Sequence, residues 1–541
     1  MTSLFHSEAP LCILRVLRRP PMIAGALAAL ALAGIGEAAI EQPAPPEVLL
    51  RRRRTVRRRG DIVLLYTLFI CWMKNLKNEL YSKIVGMDIN DFVKQLNSIV
   101  NQDAPSASPA PTATAIASHA SQEPDAIAVT ESKRIKVLIV STHINQANGY
   151  SKVIYSIINQ LAQQKWLDIV HFGTQKIQGG EIGRKYPSNV RVIDGTALEK
   201  EKRLGFAFSE LGGVINSEKP DVVFIYNDIA VISSYIEEIR KSIQNRFFKI
   251  WAYIDMVYQV QPHAMIDIIN RDVERIFCFS KGWKEQLKTQ GITRPVDVIG
   301  HAIDTKIIRP IPRELARQSL GLPKDIFMFS SLNKNIPRKR LDILIMAFVK
   351  LIVRFPMKPI FMLIVADKGD RGGYALFDIF ARELKLSGAS VDAYGNRLLI
   401  TSSNTSYKDD DINLLYNCGD VGVSCADGEG WGMCTFEQMG LGIPQIVPDI
   451  LGHKEYCTSD LCQMIKPKAR YYIPLAHSNT LGEGQLVDPD DVAKAMENYV
   501  FDEDLRKLHG KLGKEKVAEY TWEKNTSTLI RRLRALQEED D

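Results

Sequence analysis

The feature that most constrains the fold of this sequence is a regular alternation of short apolar runs with longer amphipathic stretches, which begins near Lys133. Each run is almost continuously apolar, as expected for strands of a parallel sheet that is covered by helices on both faces. The runs lie at residues 136–141, 169–172, 190–193, 222–226, 249–253, 275–279 and 296–299, and then at 327–332, 360–365, 397–400, 421–424 and 445–447.

The restart of the pattern predicts an α/β protein with two doubly wound Rossmann-like domains that face a cleft. We place these domains at residues 133–304 and 305–515. In doubly wound folds, ligands bind beyond the carboxyl ends of the strands. The loops that follow the strands are therefore where functional residues are expected.

The first 132 residues have a different character. Residues 1–100 form an extension that contains apolar runs at 22–36 and 62–72, an Arg cluster at 51–59 and a predicted amphipathic helix at 73–100. The run at 22–36 has the form of a signal-peptide core and is too short to span a bilayer comfortably. Two interpretations fit this region, a membrane anchor with a basic flank and a poorly structured extension. Met73 and Met87 are both plausible translation starts.

Residues 101–132 are rich in Ala, Ser, Pro and Thr and almost lack large apolar side chains. Such a segment cannot bury enough apolar surface to repay its ordering entropy. It is predicted to be a disordered linker.

Charge and cysteine content exclude some classes of function. The net charge is +6, but residues 1–72 hold ten Arg and only five acidic residues, so the remainder is nearly neutral. The folded part therefore lacks the basic footprint of a nucleic-acid-binding protein. The eight Cys contain no C-x-x-C pair and no metal-ligand spacing, which favours reduced thiols in the cytoplasm and no metal site.

The segment at 424–444, SCADGEGWGMCTFEQMGLGIP, carries the strongest functional pattern. A strand leads into a glycine-rich loop, and the loop opens a helix near Met433. Backbone N–H groups at such a helix start bind anions, and Gly430 and Gly432 would let a ligand approach closely. Glu429 and Glu437 are suited to accept hydrogen bonds from sugar hydroxyls. The alternative is a glycine-rich turn with two solvated carboxylates.

This segment resembles glycosyltransferase family 4, the group 1 retaining transferases with a GT-B fold. Glu429 and Glu437 match the E-x7-E motif of that family, and the GLGIP at 440–444 matches the segment that follows it. The resemblance implies that Glu429 contacts the donor sugar, with a catalytic role, and that Glu437 contacts the ribose. It also implies that Gly430 lines the donor site and that the diphosphate is held by backbone amides, those of Trp431, Gly432, Met433 and Cys434.

Two further segments resemble the family in the same order. Residues 298–310 match the interdomain stretch through Asp304. Residues 332–348 match the strand, loop and helix that bring an Arg/Lys pair to the diphosphate. Lys339 falls on the lysine, and Lys334 is the nearest cation to the missing arginine. Arg338 is expected to matter less, and a solvated basic turn is the alternative for this cluster.

In the first domain, which the resemblance makes the acceptor domain, the loop at 143–151 matches a glycine-rich family loop. Gly149 would face the phosphates or the acceptor, although an ordinary turn is an alternative. The segment at 251–258 lies where many members carry a catalytic histidine, and Asp255 is expected to take over its contact with the sugar unless it is an ordinary strand-end aspartate. Residues 516–541 resemble a final helix that crosses back to the first domain.

Taken with the resemblance, the sequence predicts a retaining glycosyltransferase that uses a nucleotide-diphosphate sugar, a glycan or glycoconjugate acceptor, no cofactor and no metal. It is expected in the cytoplasm, with membrane association through residues 1–100 left open. The alternatives are a non-catalytic nucleotide-sugar-binding protein and a GT-B epimerase or phosphorylase.

Overall fold

The computed structural model describes residues 134–540, apart from 178–179, 201–204, 367–371, 402–406 and 475–481. The predicted extension at 1–100 and the predicted linker at 101–132 lie outside the described residues. Within the described part, no helix is long and apolar enough to cross a membrane.

The first sheet contains seven parallel strands, counted over the described residues, in the order β3-β2-β1-β4-β5-β6-β7. Their bounds are β1 Ile135–Thr142, β2 Leu167–Thr174, β3 Val190–Asp194, β4 Val222–Asp228, β5 Lys249–Asp255, β6 Arg275–Cys278 and β7 Val296–Val298. The central strand β1 is buried along nearly its whole length, which explains why it is written as a continuous apolar run.

Helices cover both faces of this sheet, with bounds α1 Gly149–Leu161, α2 Gly195–Leu198, α3 Leu211–Glu218, α4 Ile229–Ser242, α5 His263–Asp272 and α6 Lys281–Thr289. Several begin at the carboxyl end of a strand with a side-chain cap. The Asn148 side chain, for example, accepts a hydrogen bond from the backbone N–H of Ser151 at the start of α1. We call residues 134–304 the N-terminal domain.

The second sheet contains six parallel strands among the described residues, in the order β10-β9-β8-β11-β12-β13. An antiparallel hairpin, β14–β15, follows it. The bounds are β8 Phe327–Leu332, β9 Ile360–Val365, β10 Leu398–Ile400, β11 Val421–Val423, β12 Gln445–Pro448, β13 Gln463–Ile465, β14 Ala469–Tyr472 and β15 Glu483–Leu486.

We call this second unit the C-terminal domain (residues 305–518). Its helices are α7 Arg313–Ser319, α8 Leu341–Arg354, α9 Leu376–Leu386, α10 Val391–Tyr394, α11 Asp409–Asn417, α12 Met433–Gly440, α13 Pro489–Phe501 and α14 Glu503–Ala518. Short 3-10 turns lie at Phe208–Glu210, Pro337–Lys339 and Gly395–Arg397. In both sheets the strand order reverses next to the first strand, between β1 and β4 and between β8 and β11. This reversal opens a crevice at the carboxyl ends of the strands.

The last helix, α15 Trp522–Asp540, leaves the C-terminal domain and packs against α1, β1 and β7 of the N-terminal domain. The Arg532 Nε donates to Asp297 at 2.9 Å, and the Asn525 amide donates to the carbonyl oxygen of His301 at 2.9 Å. The chain therefore passes between the two domains a second time. The predicted domain boundaries at 304, 515 and 516 stay predictions.

Candidate functional site

The residues between β11 and α12, which we call the glycine loop (424–432), have their carbonyl groups fixed against the protein interior. The indole N–H of Trp283 donates to the carbonyl of Gly430 at 2.7 Å. The Tyr456 hydroxyl lies within hydrogen-bond distance of the next two carbonyls, Trp431 at 2.8 Å and Gly432 at 3.1 Å.

The backbone N–H groups of residues 429–435 donate to no acceptor within the part of the chain that the structure describes. They include those of the four predicted diphosphate-binding residues, Trp431, Gly432, Met433 and Cys434. With the macrodipole of α12 behind them, these amides form a concentration of positive partial charge at the loop. We call this group of amides, which is able to bind an anion, the anion cradle.

The two glycines of the pattern are required by the fold itself. A Cβ atom at Gly430 would lie 2.2 Å from Asp255 Oδ1 of the N-terminal domain, so only a glycine permits this approach. Gly432, the N-cap of α12, has a φ of 84°, which disfavours every other residue. The sequence analysis explains these glycines by the close approach of a ligand. The structure adds a second reason for Gly430, which is the close approach of the N-terminal domain.

Glu429 carries its negative charge among two cations from the loop between β8 and α8, the basic turn (residues 334–340). Lys339 Nζ is hydrogen-bonded to Glu429 Oε1, and the Arg338 guanidinium lies 3.0 Å from Oε2. Arg338 also donates to the carbonyl of Gly428 at 2.6 Å. Burial alone would raise the pKa of Glu429, but Lys339 and Arg338 outweigh it and hold the pKa at about 2.

Lys334 is not brought into this cluster. Its side chain is exposed and forms no ion pair or side-chain hydrogen bond with any residue that the structure describes. Arg338 and Lys339 lie in the 3-10 turn Pro337–Lys339 and both contact Glu429, whereas Lys334 precedes this turn. The expectation that Arg338 is the lesser cation therefore disagrees with its placement beside Glu429, and contact of Lys334 with a diphosphate stays a prediction.

Glu437, on the first turns of α12, is buried and fully partnered. Lys152 Nζ, from α1 of the opposite domain, donates to its two carboxylate oxygens at 2.7 and 2.8 Å. The Tyr416 hydroxyl donates to Oε2 at 2.7 Å. A small pocket adjoins this cluster and is lined by residues of both domains, among them Lys152, Arg184, Asp409, Met433 and Glu437.

Gly149 opens α1 one turn from this cluster. A Cβ atom there would have no neighbour within 4 Å, so packing within the described structure does not demand a glycine. The position adjoins open space at the carboxyl end of β1. Its contact with a donor or acceptor stays a prediction.

Asp255 ends β5 and faces the glycine loop from the N-terminal domain. Its Oδ1 atom is buried and has no hydrogen-bond partner among the described residues. Burial raises the pKa of Asp255 to about 6, although a hydrogen bond from Tyr150 and the charge of Arg338 oppose the shift. A carboxyl group with an unpaired buried oxygen is able to hydrogen-bond a hydroxyl group that enters the cleft.

Sequence reasoning missed several residues of this site. Lys152 and Trp283 lie far along the chain from the glycine loop, whereas Tyr416 lies in α11 shortly before it. No motif spacing marks any of the three. His453, which follows β12, lies against the glycine loop with a buried and unpaired Nε2 atom. A polar residue in the loop after a predicted strand was the one available signal for it.

Comparison with known proteins reveals likeness at the level of structure. No family model and no curated protein matches the chain. Among solved structures, sucrose-phosphate synthase from Thermosynechococcus elongatus aligns with a TM-score of 0.57 at 15% identity, covering 74% of this chain and 99% of that chain.

Two further structures align over a similar span. They are Anabaena HepE in complex with UDP and glucose (TM-score 0.55, 12% identity, 74% and 100% covered) and a glycosyltransferase from Rickettsia africae (0.52, 14%, 75% and 98%). At identities this low, the structural similarity supports a conclusion about the fold and about nothing else. The predicted class, two Rossmann-like domains in a GT-B arrangement, is confirmed.

Proposed function

We propose that the protein is a retaining glycosyltransferase that moves a sugar from a nucleotide-diphosphate donor to a hydroxyl of a glycan or glycoconjugate, without a cofactor or a protein-bound metal. One observation carries this proposal. The unpartnered amides of the glycine loop, the cations Lys339 and Arg338 and the carboxylate of Glu429 converge at the carboxyl end of one sheet. The neighbours solved with UDP and glucose or described as glycosyltransferases support the same chemistry.

The cradle and the basic turn would bind the diphosphate. When the sugar leaves, negative charge grows on the bridging phosphate oxygen. Fixed N–H dipoles and buried cations stabilise that charge without reorganisation. Glu429 would then accept hydrogen bonds from sugar hydroxyls, and Glu437 from the ribose.

The acceptor proton does not need a protein base in this scheme, because the departing phosphate oxygen is itself able to take it. Asp255 lies against Gly430 of the glycine loop and would hydrogen-bond the sugar or the incoming hydroxyl. Retention of configuration follows from attack on the face of the sugar that the phosphate leaves.

The test is incubation of the full chain with UDP-, ADP- and GDP-sugars, followed by detection of the released nucleotide and of transfer to added glycans. We expect slow donor hydrolysis without an acceptor and faster release with one. Glu429→Gln, which keeps the shape of the side chain, should bind donor but lose nearly all turnover.

Three outcomes would contradict the proposal. Binding without any turnover in the wild type would indicate a nucleotide-sugar-binding protein. Isomerised donor would indicate an epimerase, and phosphate-dependent release of sugar phosphate would indicate a phosphorylase.

We also propose a cytoplasmic location. The six Cys residues of the described part are free thiols, as expected in a reducing compartment. Membrane association through residues 1–100 would be tested by flotation of the full chain with liposomes.

A further inference from the structure

His453 is a fully buried histidine with one unused ring nitrogen. Its Nδ1 atom lies 3.1 Å from the carbonyl oxygen of Pro448, and its Nε2 atom has no partner among the described residues. A carbonyl oxygen only accepts, so Nδ1 carries the hydrogen of the neutral ring. Nε2 is then a buried lone pair without a donor, an arrangement that costs free energy in the folded protein.

The unused nitrogen faces the anion cradle. A Cβ atom built on Gly432, the N-cap of α12, would lie 2.7 Å from His453 Nε2. Gly452, the residue before His453, packs against the backbone of Glu429. A Cβ atom built on Gly452 would lie 2.0 Å from the Glu429 carbonyl oxygen. The imidazole is therefore part of the wall directly behind the loop whose amides are unpartnered.

The charged and titratable groups that face this ring are few. Glu429 favours the protonated imidazole and Lys339 opposes it, while Tyr456 adds a neutral ring beside it. Burial is the largest influence and lowers the pKa of His453 below its usual value. The ring is accordingly neutral near pH 7 as long as no further negative charge reaches the loop.

We propose that His453 takes up a proton when a nucleoside diphosphate binds to the glycine loop, so that donor binding is coupled to protonation of this buried imidazole. The inference rests on the proposed function, because it requires a diphosphate at the cradle. Two added negative charges near Gly432 favour the imidazolium, whose Nε2–H then becomes a donor directed at the loop. His453 acts here as a positioning residue that adjusts the charge of the cradle to that of its ligand.

The sign of the coupling follows from linkage. A group with a higher pKa in the complex than in the free protein binds a proton on association, so affinity falls as pH rises between the two pKa values, by about tenfold per pH unit. The phosphates of the ligand and Asp255 also titrate in this range. The contribution of His453 is therefore the difference in proton uptake between the wild type and a variant that lacks the imidazole.

The experiment is isothermal titration calorimetry of the full chain with UDP, ADP and GDP between pH 6 and 8, in buffers of different ionisation enthalpy. This measurement gives the number of protons taken up. His453→Asn keeps a donor at the position of Nδ1 and removes Nε2, and His453→Gln serves if that variant fails to fold. His509→Gln is the matched control, since His509 is paired with Tyr499 at 2.7 Å in another part of the same domain.

On binding the nucleoside diphosphate, the wild type and His509→Gln are expected to take up more protons than His453→Asn, by as much as one proton. Their affinity should also fall more steeply than that of His453→Asn as the pH rises from 6 to 8. Equal proton uptake in all variants, with binding intact, would overturn the role of His453 and leave the proposed function standing. Failure of every nucleoside diphosphate to bind the wild type at any pH would overturn the donor site, and this inference with it.

Discussion

The basic turn offers a sharp test of the site, because sequence and structure select different cations. Arg338 is mostly buried, donates to the carbonyl of Gly428 and forms an ion pair with Glu429, whereas Lys334 is exposed. We expect Arg338→Ala to be far more damaging than Lys334→Ala. The two variants remove one cation each from the same seven-residue segment and so act as controls for one another.

The magnitude follows from the contacts. Hydrogen bonds to charged groups contribute about 1.5–3 kcal/mol each, and breaking a buried pair costs about 3–5 kcal/mol when the partner is left alone. Glu429 keeps Lys339, so a loss of about 2–3 kcal/mol of transition-state stabilisation is expected for Arg338→Ala. That loss corresponds to about a 30- to 150-fold fall in kcat/KM. Lys334→Ala should stay within about twofold, as for surface substitutions.

The assay is steady-state donor hydrolysis or transfer at fixed salt, accompanied by urea unfolding of each variant, so that loss of fold is separated from loss of chemistry. Arg338→Lys should recover part of the rate, because a lysine restores the charge but not the planar fork. A large loss in Lys334→Ala together with an active Arg338→Ala would refute the reasoning. The diphosphate contact would then belong to Lys334, as the family resemblance implies.

Three further outcomes are expected. Gly430→Ala should lower the free energy of unfolding by about 1–3 kcal/mol in urea denaturation, because the added methyl group collides with Asp255. Glu437→Gln should weaken donor binding by about 1–3 kcal/mol in calorimetry through the lost charged hydrogen bond, with the protein still folded. Asp255→Asn should raise stability at pH 7.5 by up to about 3 kcal/mol and have little effect below pH 4, because the folded-state pKa of about 6 exceeds that of the unfolded chain and stability is lost as pH rises between the two.

Much of the fold is predictable from the sequence because parallel strands buried on both faces must be apolar at nearly every position. The twelve predicted runs correspond to strands β1 to β12. Strand β13 and the hairpin β14–β15 were missed, and the reason is visible in Ala469–Tyr472, where most side chains are exposed and polar or aromatic residues replace the apolar run. Short, exposed strands do not have a periodic hydrophobic pattern in their sequence.

The site was predictable only where its members are neighbours in the chain. Glu429 lies in the glycine loop and Glu437 in the helix that follows it directly, so their spacing is visible in the sequence. Lys152 meets Glu437 across 285 residues, and only the closing of two domains brings them together. Lys334 and Arg338 are four residues apart, but only Arg338 lies in the 3-10 turn and contacts Glu429, and no spacing in the sequence marks this difference.

The structure also answers how two acidic side chains are accommodated beside an anion cradle. Glu429 has two cations from the basic turn of its own domain, and Glu437 has one cation from α1 of the other. An approaching diphosphate would therefore meet one cluster with a net positive charge, one neutral pair and the unpartnered amides, and it would compete with the carboxylates for the cations.

Success in that competition would free Glu429 and Glu437 to accept hydrogen bonds from hydroxyl groups. The sugar and the ribose of one donor supply such groups as soon as its phosphates are bound. Hydroxyl recognition would thus depend on diphosphate binding. Because Lys152 belongs to the N-terminal domain, release of Glu437 would also remove one of the ion pairs between the domains, linking entry of the donor to movement of the cleft.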